Sequence, residues 1–141
     1  MILTLAAALL AQVTPVGTVR VSERTGSVRL PDEIAPAVVP YVMCLSNQAN
    51  AAIKGIMARD KIDGLDAPRV REANKTALAD CKATRDTAAG NAREALDARG
   101  LGNADTRSKL VENTLLNVEA NFTAGVDESE AASSPQTASG K

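Results

Sequence analysis

The chain has no histidine and no tryptophan, and its 141 residues include one tyrosine, Tyr41, and one phenylalanine, Phe122. The missing histidine removes Ser-His-Asp and Cys-His catalysis, imidazole acid–base work and histidine metal sites together. So few rings supply neither a stacking platform for bases nor an aromatic sugar-binding surface, and they are too few for a large β-sandwich core. Charge of one sign is not in excess: 16 basic side chains stand against 17 acidic ones, so no nucleic-acid partner is expected. Long apolar runs are absent too. The N-terminal MILTLAAALLA is shorter than the roughly 20 residues a bilayer span needs, so no stable membrane span is expected.

That N-terminal run carries no charge and ends at the small residue Ala11. It suits the apolar core of a signal peptide covering residues 1–11, cleaved before Gln12. The match is imperfect, because no Lys or Arg precedes the run and Leu9 stands where a small residue is usual. A mis-assigned start or an uncleaved anchor are the rival readings. A cleaved signal places the chain outside the cytosol, in the periplasm or extracellular space, where two cysteines pair.

Cysteine is as scarce as the aromatics, with Cys44 and Cys81 alone. No C-x-x-C is present, which excludes a thioredoxin-like redox motif. The two stand at nearly equal distances on either side of a loop signal at Asp63–Gly64. If the flanking segments are helices, an antiparallel hairpin brings the thiols face to face and one intramolecular disulfide follows. The alternatives are two free buried thiols or a bridge between chains.

The helices are legible from apolar spacing. Val38, Val42, Leu45, Ala49, Ala52 and Ile56 recur at alternating steps of four and three, a continuous seam on a helix over Pro36–Arg59. Pro36 and Pro40 fall near its start, where a missing amide costs little. Asp66 is a good N-cap with Pro68 in the following turn, and the alanine-rich segment that follows predicts a second helix over Ala67–Arg99 with Gly100 as its stop. Val70, Ala77, Leu78, Ala88, Ala92, Ala95 and Leu96 share the face of Cys81 on that helix, and Gly90 is its expected weak point. Val111, Leu115, Val118 and Phe122 make the stripe of a third helix, Thr106–Thr123. The expected fold is therefore all-α: a long antiparallel hairpin pinned by Cys44–Cys81, with a shorter third helix packed on it as in a three-helix bundle. The helical domain covers residues 36–124. Residues 12–35 form a flexible N-terminal arm, in which Thr18–Ser22 and Ser27–Leu30 alternate weakly; a small hairpin and a mobile arm are both open readings, since two strands alone are marginal in water. Residues 125–141, rich in Ser, Ala and Glu, read as a disordered tail.

Chemistry-bearing constellations are weak. Asp60, Asp63 and Asp66 surround Gly64, but the D-x-D-x-D-G spacing and later Glu of a calcium loop are missing, so no metal site is assigned. Asn74-Lys75-Thr76 and Asn121-Phe122-Thr123 match the glycosylation pattern but lie within expected helices. Glu112 and Glu119, a heptad apart, read as helix-surface carboxylates rather than as an acid–base pair in a cleft. No catalytic residue and no cofactor is assigned, and the balance of residues is against an enzyme. The one feature with functional edge is the wide apolar arc of the first helix. Val39, Met43, Ile53 and Met57 extend it to one side and are the candidate surface for an unidentified protein partner or for self-association. These readings describe a small exported, non-catalytic helical interaction or structural protein of the envelope or periplasm. The alternative is a small envelope hydrolase working with carboxylates or Lys in place of histidine.

Overall fold

The computed structural model describes residues 18–22 and 26–133. The expected signal at 1–11, residues 12–17 of the arm and the last part of the tail at 134–141 lie outside the described residues.

The described chain opens with an antiparallel hairpin, β1 (Thr18–Ser22) and β2 (Gly26–Arg29), in which Val19 faces Val28 and the register shifts between Arg20 and Ser22. Two strands alone are marginal in water. This pair is supported because Val28 and Leu30 are buried and the hairpin lies against the first and last helices. A turn then closes as Ile34 N–H and Ala35 N–H both donate to Pro31 O, at 3.1 and 2.9 Å. Helix α1 (Ala35–Asp60) starts from it, with Pro36 in its first turn and Pro40 tolerated inside. Its buried face is Val38, Tyr41, Val42, Leu45, Ala49 and Ile56. That is the seam read from spacing with Ala52 only half-buried, and with Tyr41 added.

Lys61 ends α1 in the left-handed region (φ 52°), and its N–H and that of Ile62 both reach back to Met57 O. Asp66 caps α2 (Ala67–Asp80) by accepting from Arg69 N–H at 3.1 Å. A third helix, α3 (Lys82–Ala98), follows after a single residue, Cys81. Gly100, at φ 65°, then terminates it: Gly100 N–H donates to Asp97 O and Leu101 N–H to Leu96 O, the crossed pair of bonds typical of a glycine stop. Asn103 Oδ1 accepts from Thr106 N–H at 2.9 Å as α4 (Ala104–Ser133) begins.

The class is all-α, with four helices among the described residues, not three. The expected second helix is interrupted at Cys81, whereas Gly90 lies within unbroken α3 with open space where a Cβ would sit. The last helix also exceeds its expected span. It begins at Ala104 and runs through Gly125 to Ser133, so the first part of the expected disordered tail is helical. The Glu- and Ala-containing run after Gly125 has good helix propensity, and one glycine costs only about 1 kcal/mol.

Helix α1 packs along both α2 and α3, and α4 lies across the same two helices. Ala73, Ala77, Ala88, Ala89 and Ala92 are buried at these contacts, and their small side chains permit close approach. The α4 stripe of Val111, Leu115, Val118 and Phe122 is fully buried. Asn74, on α2, is buried as well and donates from Nδ2 to Phe122 O at 3.2 Å. That amide clips α2 to α4, so the glycosylation pattern at Asn74 describes a residue with a packing role.

Candidate functional site

Cys44 and Cys81 are bridged, with Cα atoms 5.9 Å apart. The bond ties α1 to the junction of α2 and α3. Cys81 is fully buried in the core and Cys44 is half-buried beside it.

One helical turn from each cysteine begins a polar cluster that joins three helices. Tyr41, three residues before Cys44, donates its hydroxyl to Glu119 Oε1 at 2.9 Å. Arg85, four residues after Cys81, donates from Nε to the same oxygen at 2.5 Å. Its terminal nitrogen is 2.7 Å from Glu112 Oε1. The heptad spacing that made Glu112 and Glu119 look like surface residues sets both on the α4 face that meets α3, one on each side of the guanidinium. Arg85 and Glu119 are only 21% and 23% exposed, so this pair is largely removed from solvent. Hydrogen bonding to Glu112 is the main reason the Arg85 pKa is raised, which secures its charge. Sequence reading missed the cluster because it needs the relative rotation of three helices. The available signal was Tyr41 lying on the flank of Cys44 instead of on the apolar seam.

Burial first, and then the hydrogen bond to Glu119, raises the Tyr41 pKa above its ordinary value. An unfolded phenol ionises near pH 10 (roughly) and the folded one later, so this group contributes stability that is intact below that pH and declines as pH rises beyond it. Since Tyr41 is the single tyrosine, ultraviolet titration of tyrosinate reports it alone. The phenolate signal is expected to appear above the range of a free tyrosine, and together with loss of helical circular dichroism. Ionisation at the ordinary value in the folded chain would show that the Tyr41–Glu119 bond is not maintained.

The four residues of the candidate partner surface lie on one side of α1 but are not equally free. Met43 is 59% exposed, whereas Val39 packs against the core, and Ile53 and Met57 are half-buried. Ser46 and Asn50 fall on the same side between the two pairs, by helical geometry. The stripe is therefore two apolar spots divided by polar residues.

In the acidic loop, Asp60 and Asp66 are both engaged. Arg69 pairs with Asp60 at 3.0 Å and with Asp66 at 2.6 Å, and Arg59 also reaches Asp60 at 2.9 Å. The hydrogen bonds from Arg59 and Arg69 hold the Asp60 carboxyl below its usual pKa. Among the described residues, no three Cys, Asp or Glu side chains are grouped to hold a metal ion. A shallow open depression lies between α3 and α4, lined by Arg93, Glu94, Asp97, Ala104, Arg107 and Ser108. Arg107 there pairs with Asp97 and donates to Gly102 O, which fastens the α3–α4 connection. No described helix is long and apolar enough to cross a membrane.

Comparison with known proteins returns nothing to compare these features with: no family model matches the chain, and no curated protein or solved structure is significantly similar to it.

Proposed function

We infer that this chain is a small exported, non-catalytic helical interaction or structural protein of the envelope or periplasm. One observation carries the reading most. The polar groups best placed for chemistry, Tyr41, Arg85, Glu112 and Glu119, are turned toward one another and join α1, α3 and α4. A hydrolase working without histidine needs at least one carboxylate facing a substrate-sized cleft with its titration set by that cleft. Here the two candidate carboxylates are held by Arg85. The disulfide supports export, since such bonds persist in oxidising compartments. The uneven apolar spots of α1, with Met43 the most exposed, support contact with a protein surface.

The test is co-purification of envelope proteins on the intact oxidised chain, beside a Met43→Glu variant, with the mass of the free chain measured across micromolar concentrations. A stoichiometric companion, or a dimer, that is lost in Met43→Glu while the melting temperature is unchanged is the expected result. A chain that stays monomeric and alone, with retained partners indifferent to Met43→Glu, would refute the interaction reading. Turnover of an ester or peptide substrate that disappears in Glu119→Gln would establish the hydrolase instead.

A further inference from the structure

Helix α2 ends at Asp80, α3 begins at Lys82, and the residue between them is the crosslinked Cys81. Helix breaks have a short list of causes: proline, glycine or serine pairs, π-bulges, or an inserted side chain or water. From Ala77 to Arg85 the chain holds neither proline nor glycine, and Ala77, Leu78, Ala79, Lys82, Ala83 and Arg85 are all strong helix formers. The nearest glycine, Gly90, sits in uninterrupted helix. Local sequence therefore predicts continuity at the one place where the helix stops.

The interruption is also slight. Cys81 N–H still donates to Ala77 O at 3.0 Å, and Cys81 O still accepts from Arg85 N–H at 2.9 Å. What departs from the helix is ψ of Cys81, at 7°, against about −42° in a regular helix. The bent residue and the residue whose side chain is covalently tied to α1 are the same one.

We propose that the Cys44–Cys81 bridge holds the α2–α3 bend, and that its reduction lets the two segments fuse into one continuous helix, Ala67–Ala98, within a folded chain. The bend is then a redox-sensitive element. The reductant is a dithiol. Its thiolate attacks Cys44 Sγ, the more accessible sulfur because Cys81 is fully buried. The S–S bond breaks, Cys81 leaves as thiolate and takes up a proton, and a mixed disulfide forms on Cys44. The second thiol of the reductant displaces Cys44 as a thiol. Two electrons and two protons have passed to the protein, and the dithiol has become a disulfide. Once Cys81 is free, ψ relaxes, and the amides of Lys82, Ala83 and Thr84 take their ordinary acceptors at Leu78, Ala79 and Asp80.

A rival cause for the bend lies on the same helices. Asn74 fastens α2 to Phe122 O, and Arg85 fastens α3 to Glu112 and Glu119, so the two segments are held on α4 at separate points. Amide hydrogen exchange and carbon chemical shifts of the full chain separate the two at 25 °C, with and without dithiothreitol. A Cys44→Ala/Cys81→Ala variant and an oxidised Arg85→Gln variant complete the set. If the bridge holds the bend, protection at Lys82, Ala83 and Thr84 rises by about tenfold or more on reduction, as expected of amides joining a helical ladder. The Cys81 shifts become helical, the double-alanine variant matches the reduced protein, and Arg85→Gln stays bent. A bend that persists in both bridge-free forms, a bend lost in oxidised Arg85→Gln, or bridge-free chains without protection anywhere would each overturn the proposal.

Discussion

Reduction of the Cys44–Cys81 bridge is expected to lower the melting temperature by about 10 °C or more. The bond closes a loop of 37 residues. In the chain-entropy account, a crosslink of that span removes about 3–4 kcal/mol of freedom from the unfolded state. For a domain near 100 residues each kcal/mol moves the midpoint by roughly 4 °C. The loss falls on a chain whose α2 and α3 meet α1 largely through alanine, where each side chain contributes on the order of 1 kcal/mol or less. Against a typical net stability of about 5–15 kcal/mol, the bridge is a sizeable share. Cys81→Ala is a cleaner probe than Cys81→Ser, because the site is fully buried and a hydroxyl there would be left in apolar surroundings. Thermal melts with and without reductant decide the matter. Coincident curves would mean that packing alone holds the helices.

Phe122→Ala is expected to cost about 3–5 kcal/mol, at least as much as losing the bridge. Phe122 is the single phenylalanine and one of the largest fully buried side chains. It ends the α4 stripe, and its carbonyl is the acceptor for buried Asn74. Truncation removes the ring from the core and loosens the turn that receives the amide of buried Asn74. Denaturant unfolding of the oxidised protein measures the effect. A change below about 1.5 kcal/mol would place Phe122 outside the cooperative core. The exposed leucines of the same helix, Leu110 and Leu116, serve as the comparison.

Much of this architecture is visible in apolar spacing alone. The α4 stripe is buried as read, the α1 seam is buried apart from half-buried Ala52, and the two cysteines meet where matched spacing brings them. Periodicity succeeds there because each stripe faces one continuous core. On the alanine-rich segment it is weaker. Val70, Leu78 and Ala95 are only half-buried, while Ala73 and Ala89, left off the expected face, are buried. Since alanine is apolar on every face, it marks no face clearly, and a bend at Cys81 rotates α3 relative to any single stripe drawn through α2. The bend itself has no local signal. Arg85 was equally opaque, because interleaved charges on α3 look alike until α4 supplies Glu112 and Glu119. The unequal exposure along the α1 partner surface was hidden for a simpler reason. Helical spacing aligns Val39, Met43, Ile53 and Met57, but does not show that Val39 packs against the core while Met43 stands open.

The seating of the N-terminal hairpin against α4 has a temporal meaning. A ribosome delivers Thr18–Arg29 well before Ala104–Ser133, yet these two segments touch in the finished molecule. Such distant pairing is slow to find, because the intervening chain must close before the contact forms. Cys44 and Cys81 both emerge earlier than α4, so the covalent bond has the opportunity to form on a partial chain of α1, α2 and α3. In that partial chain Arg85 lacks both of its carboxylates, Asn74 lacks its acceptor, and β2 lacks the helix it lies against. Arrival of α4 supplies all of these at once, which makes this late helix the keystone of assembly.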